Sequence, residues 1–458
     1  MISRSTLLLV LAPVSLAEVA AQATSPRDLT PRPRTVEVAL AAGTARLELV
    51  PGAATEVFAY NGTVPGPVLE FREGDHVVVH FRNDLPLPTT VHWHGLHLPF
   101  PSDGSPFHPV APGETYDYEF DIAPGTAGTY WYHPHPNHET GGQVARGLYG
   151  AIVVRADDDP LAGLPEQVLV LSDNRFNTDG SLDLPDPHSH AGRVDRENGR
   201  EGPILLVNGR AMPELVIRSG ELQRWRVVNA SAGRIYRLSL EGHPFLFVGT
   251  DGGLFERPVE VTEIKVAPSE RVEILVRGTG VPGSSVLLQD LPYDRYIPQT
   301  RPAAWNTPRP LLTLRYSAER PSGRPVEIPA TLRRVEALDP ARATAIRLMV
   351  LSQGLINGQV MDMARVDVGA PLGATEIWEV ENVVGMDHPF HLHGFRFQVL
   401  DRNGVPEPFP AWKDVVNVPR HETVRFIVQY DDYPGKWMFH CHILDHEDHG
   451  MMGILQVD

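Results

Sequence analysis

The end of the chain holds its only cysteine, Cys441, between His440 and His442. His446 follows Cys441 by five residues, and Met451 follows it by ten. Most single cysteines are buried and inert, but three histidines within seven residues are not explained by core packing. A soft thiolate grouped with imidazoles and a distant thioether is the ligand set of a blue-copper electron-transfer site. The motif therefore predicts a copper site built on Cys441.

Alternation along a β-strand predicts that this motif serves two sites. Side chains two residues apart share one face of a strand, and the residue between them points to the other face. If residues 437–442 form a strand, His440 and His442 face one way and Cys441 the other. His446 and Met451 must then return to the Cys441 side through a loop or a short helix.

Three upstream motifs supply more imidazoles: His-Trp-His at 92–94, His-Pro-His at 133–135 and His-Pro-Phe-His-Leu-His at 388–393. His388 and His391 are three residues apart and should face opposite sides, although Pro389 can break the alternation. The alternation of side chains therefore assigns His388 to the same site as Cys441. The remaining imidazoles form a second site, with His92, His94, His133, His135, His391, His393, His440 and His442. So many imidazoles suit a cluster of about three ions, and imidazole serves Zn, Cu, Fe and Ni alike.

These four motifs resemble, in order and spacing, the four copper motifs of the multicopper oxidases, the family of laccases, ascorbate oxidase and bacterial cuprous oxidases. The resemblance runs from about residue 35 to the end. It implies four copper ions and O2 as the electron acceptor. It implies type 1 copper at His388, Cys441 and His446, with Met451 as the axial ligand. It also implies type 2 copper at His92 and His391, and a type 3 pair at His94, His133, His135, His393, His440 and His442.

Strand-like runs separated by Gly, Pro and Asn turns predict an all-β chain, for example at 76–81, 151–154, 273–276 and 425–428. A repeat indicates three copies, each opened by an Asn-Gly pair and carrying a glycine nine residues before an asparagine. The pairs begin at Asn61, Asn208 and Asn357, and the asparagines are Asn83, Asn229 and Asn382. The middle copy has Ser239 and Glu241 where the others have histidines, which makes it a spacer without copper ligands. In the first copy, Pro134 replaces the cysteine.

The resemblance implies three consecutive cupredoxin-like Greek-key β-barrel domains. We expect them at 35–156, 157–318 and 341–458, with a Pro- and Arg-rich connector at 319–340. Only the first and third domains contribute histidines, so the cluster should lie between these two.

Residues 1–23 predict a secretion signal, with Arg4, an apolar run and an Ala-Gln-Ala cleavage site. We therefore expect a periplasmic or secreted protein. The net charge of −17 argues against nucleic acid or an anionic membrane as a partner. A single cysteine allows no intrachain disulfide. We expect a monomer.

Two carboxylates lie near the motifs. By resemblance, Asp103 corresponds to an acidic residue close to type 2 copper, and Glu447 to one beside the oxygen path. Oxygen reduction consumes protons, so both are candidate catalytic proton relays, although turn or capping roles are the alternative.

The reductant is left open. Phenols and aromatic amines would make the protein a laccase, and Cu(I) would make it a cuprous oxidase. The nine methionines form no Met-rich insert, which favours the laccase-like alternative. Met361, Met363 and Met386 could instead hold a substrate Cu(I), or simply pack in the core. A copper-binding or electron-transfer protein without oxygen chemistry is a further hypothesis, but it would need only the Cys441 site.

Overall fold

The computed structural model describes residues 26–29, 32–295, 306–319 and 327–458. The predicted signal at 1–23 and residues 320–326 of the predicted connector lie outside these ranges. The described chain forms three successive pairs of β-sheets with short helices between strands. The all-β prediction is confirmed, and the four runs named above lie within strands.

The first domain contains β1 (Thr35–Val50), β2 (Ala53–Tyr60), β3 (Gly66–Arg72), β4 (His76–Asn83), β5 (His92–His94), β6 (Thr115–Asp121), β7 (Gly128–His133), α1 (Thr140–Ala145) and β8 (Gly150–Arg155). A 3-10 turn spans Phe100–Ser102. One sheet has the order β2-β1-β4-β6 and the other β3-β8-β7-β5. Their facing sides share one core that includes Val79, Trp93 and Ile152.

The second domain contains β9 (Glu166–Asn174), α2 (His190–Asn198), β10 (Ile204–Val207), β11 (Glu214–Arg218), β12 (Leu222–Asn229), β13 (Tyr236–Leu240), β14 (Phe245–Thr250), β15 (Gly253–Val261), β16 (Ile264–Val266), β17 (Arg271–Arg277), β18 (Ser285–Asp290) and β19 (Arg309–Ser317). Its sheets have the orders β10-β9-β12-β17-β14-β15 and β11-β19-β18-β13-β16. Trp225 is buried between them.

The third domain begins after a 3-10 turn at Pro340–Arg342. It contains β20 (Ala345–Ser352), β21 (Leu355–Ile356), β22 (Val368–Ala370), β23 (Thr375–Asn382), β24 (His388–Leu392), β25 (Phe397–Arg402), β26 (Val405–Pro406), β27 (Trp412–Lys413), β28 (Val415–Val418), β29 (Thr423–Gln429), β30 (Gly435–Cys441), α3 (Leu444–Asp448) and β31 (Met452–Val457). One sheet has the order β21-β20-β23-β29-β25-β26, with β27 on β25, and the other has β22-β31-β30-β24-β28.

The sequence repeat corresponds to a repeated polar contact. In all three domains the buried asparagine donates from its side chain to two backbone carbonyls and accepts from the backbone N–H two residues later. Asn229, for example, donates to Arg234 O (2.8 Å) and Val266 O (2.9 Å) and accepts from Ser231 N (3.0 Å). Asn83 and Asn382 make the equivalent bonds. The same contact therefore fixes the same loop in each domain.

Among the described residues, no helix is both long enough and apolar enough to cross a membrane.

Candidate metal centre

Cys441 lies at the end of β30, fully buried, with two imidazoles beside its sulfur. His388 Nδ1 is 3.3 Å from Sγ, and His446 Nδ1 is 3.7 Å from it. The opposite parity of His388 and His391 holds because β24 continues through Pro389, which pairs with Asn417. His446 returns on the short helix α3, as expected. Met451 is buried, and its carbonyl accepts from Cys441 N–H at 3.1 Å.

The eight other motif histidines converge in one buried cluster between the first and third domains. Only the His92 and His94 pair lies wholly within a strand. In the other three pairs the strand ends before the second histidine: β7 ends at His133, β24 at Leu392 and β30 at Cys441. The second imidazole of each pair still reaches the cluster from the following loop.

The cluster contains three groups of three histidines, and in each group one nitrogen from every ring lies within 4.8 Å of the other two. Their members are His92, His94 and His391; His94, His133 and His442; and His135, His393 and His440. Between nitrogens, His133 Nε2 lies 3.4 Å from His94 Nδ1, and His393 Nε2 lies 3.1 Å from His440 Nε2. His92 stacks on His393 with ring centroids 4.0 Å apart, and His94 stacks on His391 at 3.8 Å. Each stacked pair thus joins one ring of the first domain to one ring of the third domain.

Hydrogen bonds to the outer nitrogens orient the rings. His92 Nδ1–H donates to the Asp103 carbonyl at 2.7 Å, and His391 Nδ1–H donates to the Asp414 carbonyl at 2.8 Å. The Nε2 atoms of both rings are buried and have no hydrogen-bond partner in the described part of the chain. A histidine that ligates a metal typically commits its other nitrogen to such an acceptor. This geometry is that of a metal site.

Metal binding requires neutral imidazoles, and burial favours that form for most of the motif histidines. Burial first, and then the neighbouring imidazoles, lower the pKa of His94, His133, His391, His393 and His442 well below the usual value. For His135 the pKa falls to about 4 and for His446 to about 3, again chiefly through burial. Burial also raises the pKa of the Cys441 thiol to about 12, so thiolate formation there needs a cation.

The two predicted carboxylates both lie against the cluster. Asp103 Oδ2 accepts from His393 Nδ1 at 3.0 Å, and its Oδ1 is 3.5 Å from His92 Nδ1. Glu447 Oε2 is 3.1 Å from His440 Nδ1, and Oε1 is 3.5 Å from His135 Nε2. Burial raises the pKa of Glu447, but the adjacent imidazoles outweigh it and lower the value to about 2.

The sequence motifs do not include three residues at the cluster, two of which bond its imidazoles while the third bonds one of those two. Asp414 Oδ1 lies 3.0 Å from His94 Nε2, and Arg271 of the second domain forms a bidentate ion pair with Asp414. Ser269, also of the second domain, places its hydroxyl 2.6 Å from His442 Nε2. The description of the middle domain as a spacer is therefore incomplete. No sequence motif marks these residues.

Histidines outside the motifs have other roles. His97 lies at the contact of the first and third domains, where its ring nitrogens bond the Gly394 carbonyl and Asp432. His138 Nδ1–H donates to the Asp448 carbonyl. His449 lines a cavity beside the Cys441 site.

Comparison with known proteins identifies the family. Sequence models described as multicopper oxidase match residues 42–159, 157–318 and 329–458. The chain belongs to the multicopper oxidase family. A multicopper oxidase of Staphylococcus aureus is 30% identical over 425 residues, covering 90% of this chain and 86% of the relative. A laccase of Bacillus subtilis is 29% identical, covering 87% of this chain and 89% of its own length.

The solved structures give the same result. A multicopper oxidase from Campylobacter jejuni, described as a metallo-oxidase, superposes with a TM-score of 0.87 at 32% identity. The alignment covers 96% of this chain and 95% of that one. Multicopper oxidases bind copper, and the donors of this oxidase fit it. One site combines a thiol with imidazoles, and the other is all imidazole with nitrogens facing inward.

The oxidase has a cavity of about 640 Å³ beside the Cys441 site. Leu355, Val383 and Val384 form part of its apolar lining, and His388 and His446 lie at its wall. His446 Nε2–H donates to the Glu197 carbonyl of α2 at 3.3 Å. His388 Nε2, in contrast, has no hydrogen-bond partner within the described ranges.

Proposed function

We propose that this multicopper oxidase transfers single electrons from phenols or aromatic amines to O2, which it reduces to water. The observation that carries the choice of reductant is the cavity beside the Cys441 site. Its volume, about 640 Å³, is in the usual range for small organic ligands. Its lining is mostly apolar, which suits an aromatic ring. His388 and His446 at its wall would contact the bound reductant.

The proposal assigns four copper ions. His388, Cys441 and His446 would hold type 1 copper, and Met451 would be a further ligand. His92 and His391 would hold type 2 copper, and the six remaining cluster histidines the type 3 pair. Bound copper would supply one-electron acceptors, and four ions match the four electrons that O2 requires. Cys441 is joined through one peptide bond each to His440 and His442, which gives a short covalent path between the two sites.

Protons from solvent would be relayed to the cluster by the two buried carboxylates. Asp103 contacts His92 and His393, and Glu447 contacts His135 and His440, so each lies within reach of the cluster. We expect Asp103→Asn and Glu447→Gln to lower turnover by about 10–100-fold and to change its pH profile. Copper content should be measured in parallel. A copper-loaded variant with unchanged turnover and an unchanged pH profile would contradict the relay role of that residue.

A cuprous oxidase is the second candidate, favoured by the metallo-oxidase described from Campylobacter jejuni. Met361 is half-buried, and its N–H donates at 2.8 Å to the carbonyl of Gly450, the residue before Met451. Met386, however, accepts from Arg295 Nη1 at its sulfur, at 3.3 Å. That sulfur is therefore already engaged, which argues against Met386 as a Cu(I) ligand.

Oxygen uptake distinguishes the candidates. The copper-loaded protein should be supplied with 2,6-dimethoxyphenol or with Cu(I), and hydrogen peroxide should be assayed in both reactions. Fast uptake with the phenol and no peroxide is expected. Fast uptake only with Cu(I) would identify a cuprous oxidase. Loading of one copper per chain, with no uptake, would indicate an electron-transfer protein and overturn the proposal. Cys441→Ser is the control for electron entry.

Export and a monomeric state are also part of the proposal. Export rests on the predicted signal at residues 1–23. The N-terminus of protein recovered from the periplasm or the medium should then begin near Thr24, and light scattering should give the mass of one chain. Retention of residues 1–23 would contradict the predicted cleavage.

A further inference from the structure

The second domain reaches the imidazole cluster through the tight turn between β16 and β17. At this turn Ser269 has a φ of 70°, in the left-handed region that favours glycine. Ser269 is fully buried, and its N–H donates to Asn229 O at 2.9 Å. The turn places the Ser269 hydroxyl 2.6 Å from His442 Nε2. Strained residues held by their surroundings are concentrated at functional sites.

Two residues further on, Arg271 joins all three domains. Its guanidinium is fully buried and forms a bidentate ion pair with Asp414 of the third domain. Its Nε–H donates to Thr129 O of the first domain at 3.1 Å. A bidentate guanidinium fixes a carboxylate in position and in rotation.

The carboxylate that Arg271 fixes in turn orients two cluster histidines. His94 Nε2–H donates to Asp414 Oδ1 at 3.0 Å, so His94 presents Nδ1 to the cluster. The Asp414 carbonyl accepts from His391 Nδ1–H. Gly95, directly after His94, has a φ of 86° and lies so close that any side chain there would collide with Asp414 and Arg271. The absence of a side chain at Gly95 thus leaves room for the ion pair between Arg271 and Asp414.

We propose that Ser269 and Arg271 are positioning residues of the imidazole cluster. Ser269 fixes the ring of His442 directly, and Arg271 fixes His94 through Asp414. The middle domain, which has no copper ligands of its own, therefore completes the cluster, and its docking is coupled to copper retention. This inference rests on the proposed copper assignment.

The alternative is that these contacts only hold the domains together. Arg226 provides a matched control, because it is also a buried arginine of the second domain. It pairs with Glu273 at 2.7 Å and donates to the Thr129 side chain of the first domain at 3.1 Å. Its other ion-pair partner is Glu166 at 2.8 Å. Both carboxylates belong to the second domain, and their described partners include no imidazole of the cluster. Arg226→Met removes a buried arginine, its ion pairs within the second domain and one hydrogen bond to the first domain, without changing a bond to the imidazoles.

Ser269→Gly separates the role of the hydroxyl from the stability of the fold. Glycine adopts the left-handed conformation without strain, which offsets part of the cost of the lost hydroxyl contact, so the copper-free variant should stay folded. The hydroxyl contact with His442 is nevertheless lost. A purely structural role predicts that copper retention follows the melting temperature of each variant. A positioning role predicts that Ser269→Gly loses cluster copper faster than Arg226→Met, whichever of the two has the lower melting temperature.

The full chain and its variants should be loaded with Cu(II), and copper release to excess EDTA should be followed by metal analysis and electron paramagnetic resonance. We expect Ser269→Gly and Arg271→Met to keep the blue Cys441 copper and to bind cluster copper about 10–100-fold more weakly. Arg226→Met should lower the melting temperature but retain cluster copper. Equal retention in all three variants, or equal loss in Arg226→Met, would overturn the inference. A wild-type chain that loads only one copper would instead refute the proposed function, and the inference with it.

Discussion

The copper-free protein should protect its only cysteine from thiol reagents. Cys441 is fully buried at the end of β30, and burial raises the pKa of its thiol to about 12, against an ordinary value of 9.0. The thiolate is the reactive form of cysteine. Removing copper therefore should not expose a reactive thiol, although the metal would hold Cys441 as a thiolate.

The expected protection follows from the two pKa values. At pH 8, a thiol with a pKa near 12 is ionised in about one molecule in 10,000, whereas a thiol with a pKa near 9 is about one-tenth ionised. Ionisation alone should therefore slow the reaction about 1000-fold relative to the unfolded chain, and enclosure should slow it further. The rate should rise tenfold per pH unit up to about pH 11.

The assay is the absorbance change with 5,5′-dithiobis(2-nitrobenzoate), which reports one site because the chain has one cysteine. The control is the same protein unfolded in guanidinium chloride, whose rate should level off near pH 9. A native rate within about tenfold of the unfolded rate would refute the reasoning. A slow native rate that also levels off near pH 9 would show that labelling occurs only after local opening.

Three further changes test other parts of the structure. Met451→Leu should raise the type 1 potential because a weak donor to Cu(II) is lost, while this volume-conserving change should cost less than about 1.5 kcal/mol of stability; an unchanged potential in a redox titration would show that Met451 is not axial. Asn229→Ala should lower the free energy of unfolding by about 1–3 kcal/mol, since buried backbone groups lose their partner; no shift in denaturant melts would contradict this. The Glu37 carboxylate, and then that of Asp117, raise the pKa of His80 by hydrogen bonding, so its stabilisation is fully present below pH 6.5 and is lost as the pH rises through the raised pKa. His80→Gln should therefore lower the melting temperature in acid and have little effect in alkali.

The ligand motifs and the repeats were recognisable from sequence because they depend on local geometry. Strand alternation groups His388 with Cys441 and sets His391 on the other side, and the structure shows this arrangement. The Asn-Gly pairs at Asn61, Asn208 and Asn357 adopt positive φ in each domain, as such turns require. Each of these motifs is local, because the residues that form it lie within a few positions of one another in the sequence.

The contacts around the cluster could not be predicted in the same way. Arg271 and Asp414 are 143 residues apart, and Asp414 is 320 residues from His94. Neither belongs to a motif, and a buried arginine looks like a surface arginine in a sequence. The strand ends at His133 and Cys441 were also not predicted, because alternation does not show where a strand stops. Ser269 carried no signal of its left-handed conformation.

The cluster also has a consequence for the connectivity of the chain. A chain with one cysteine has no internal disulfide, yet His94 and His442 lie in one nitrogen group although they are far apart in sequence. A metal ion held by both would close a loop of roughly 350 residues. If the ion stays bound on unfolding, this loop lowers the conformational entropy of the unfolded chain, which corresponds to about 5 kcal/mol of stabilisation. In that case copper would act as the crosslink between the two ends of the protein. Unfolding of the loaded enzyme would then be limited by how fast the ions leave.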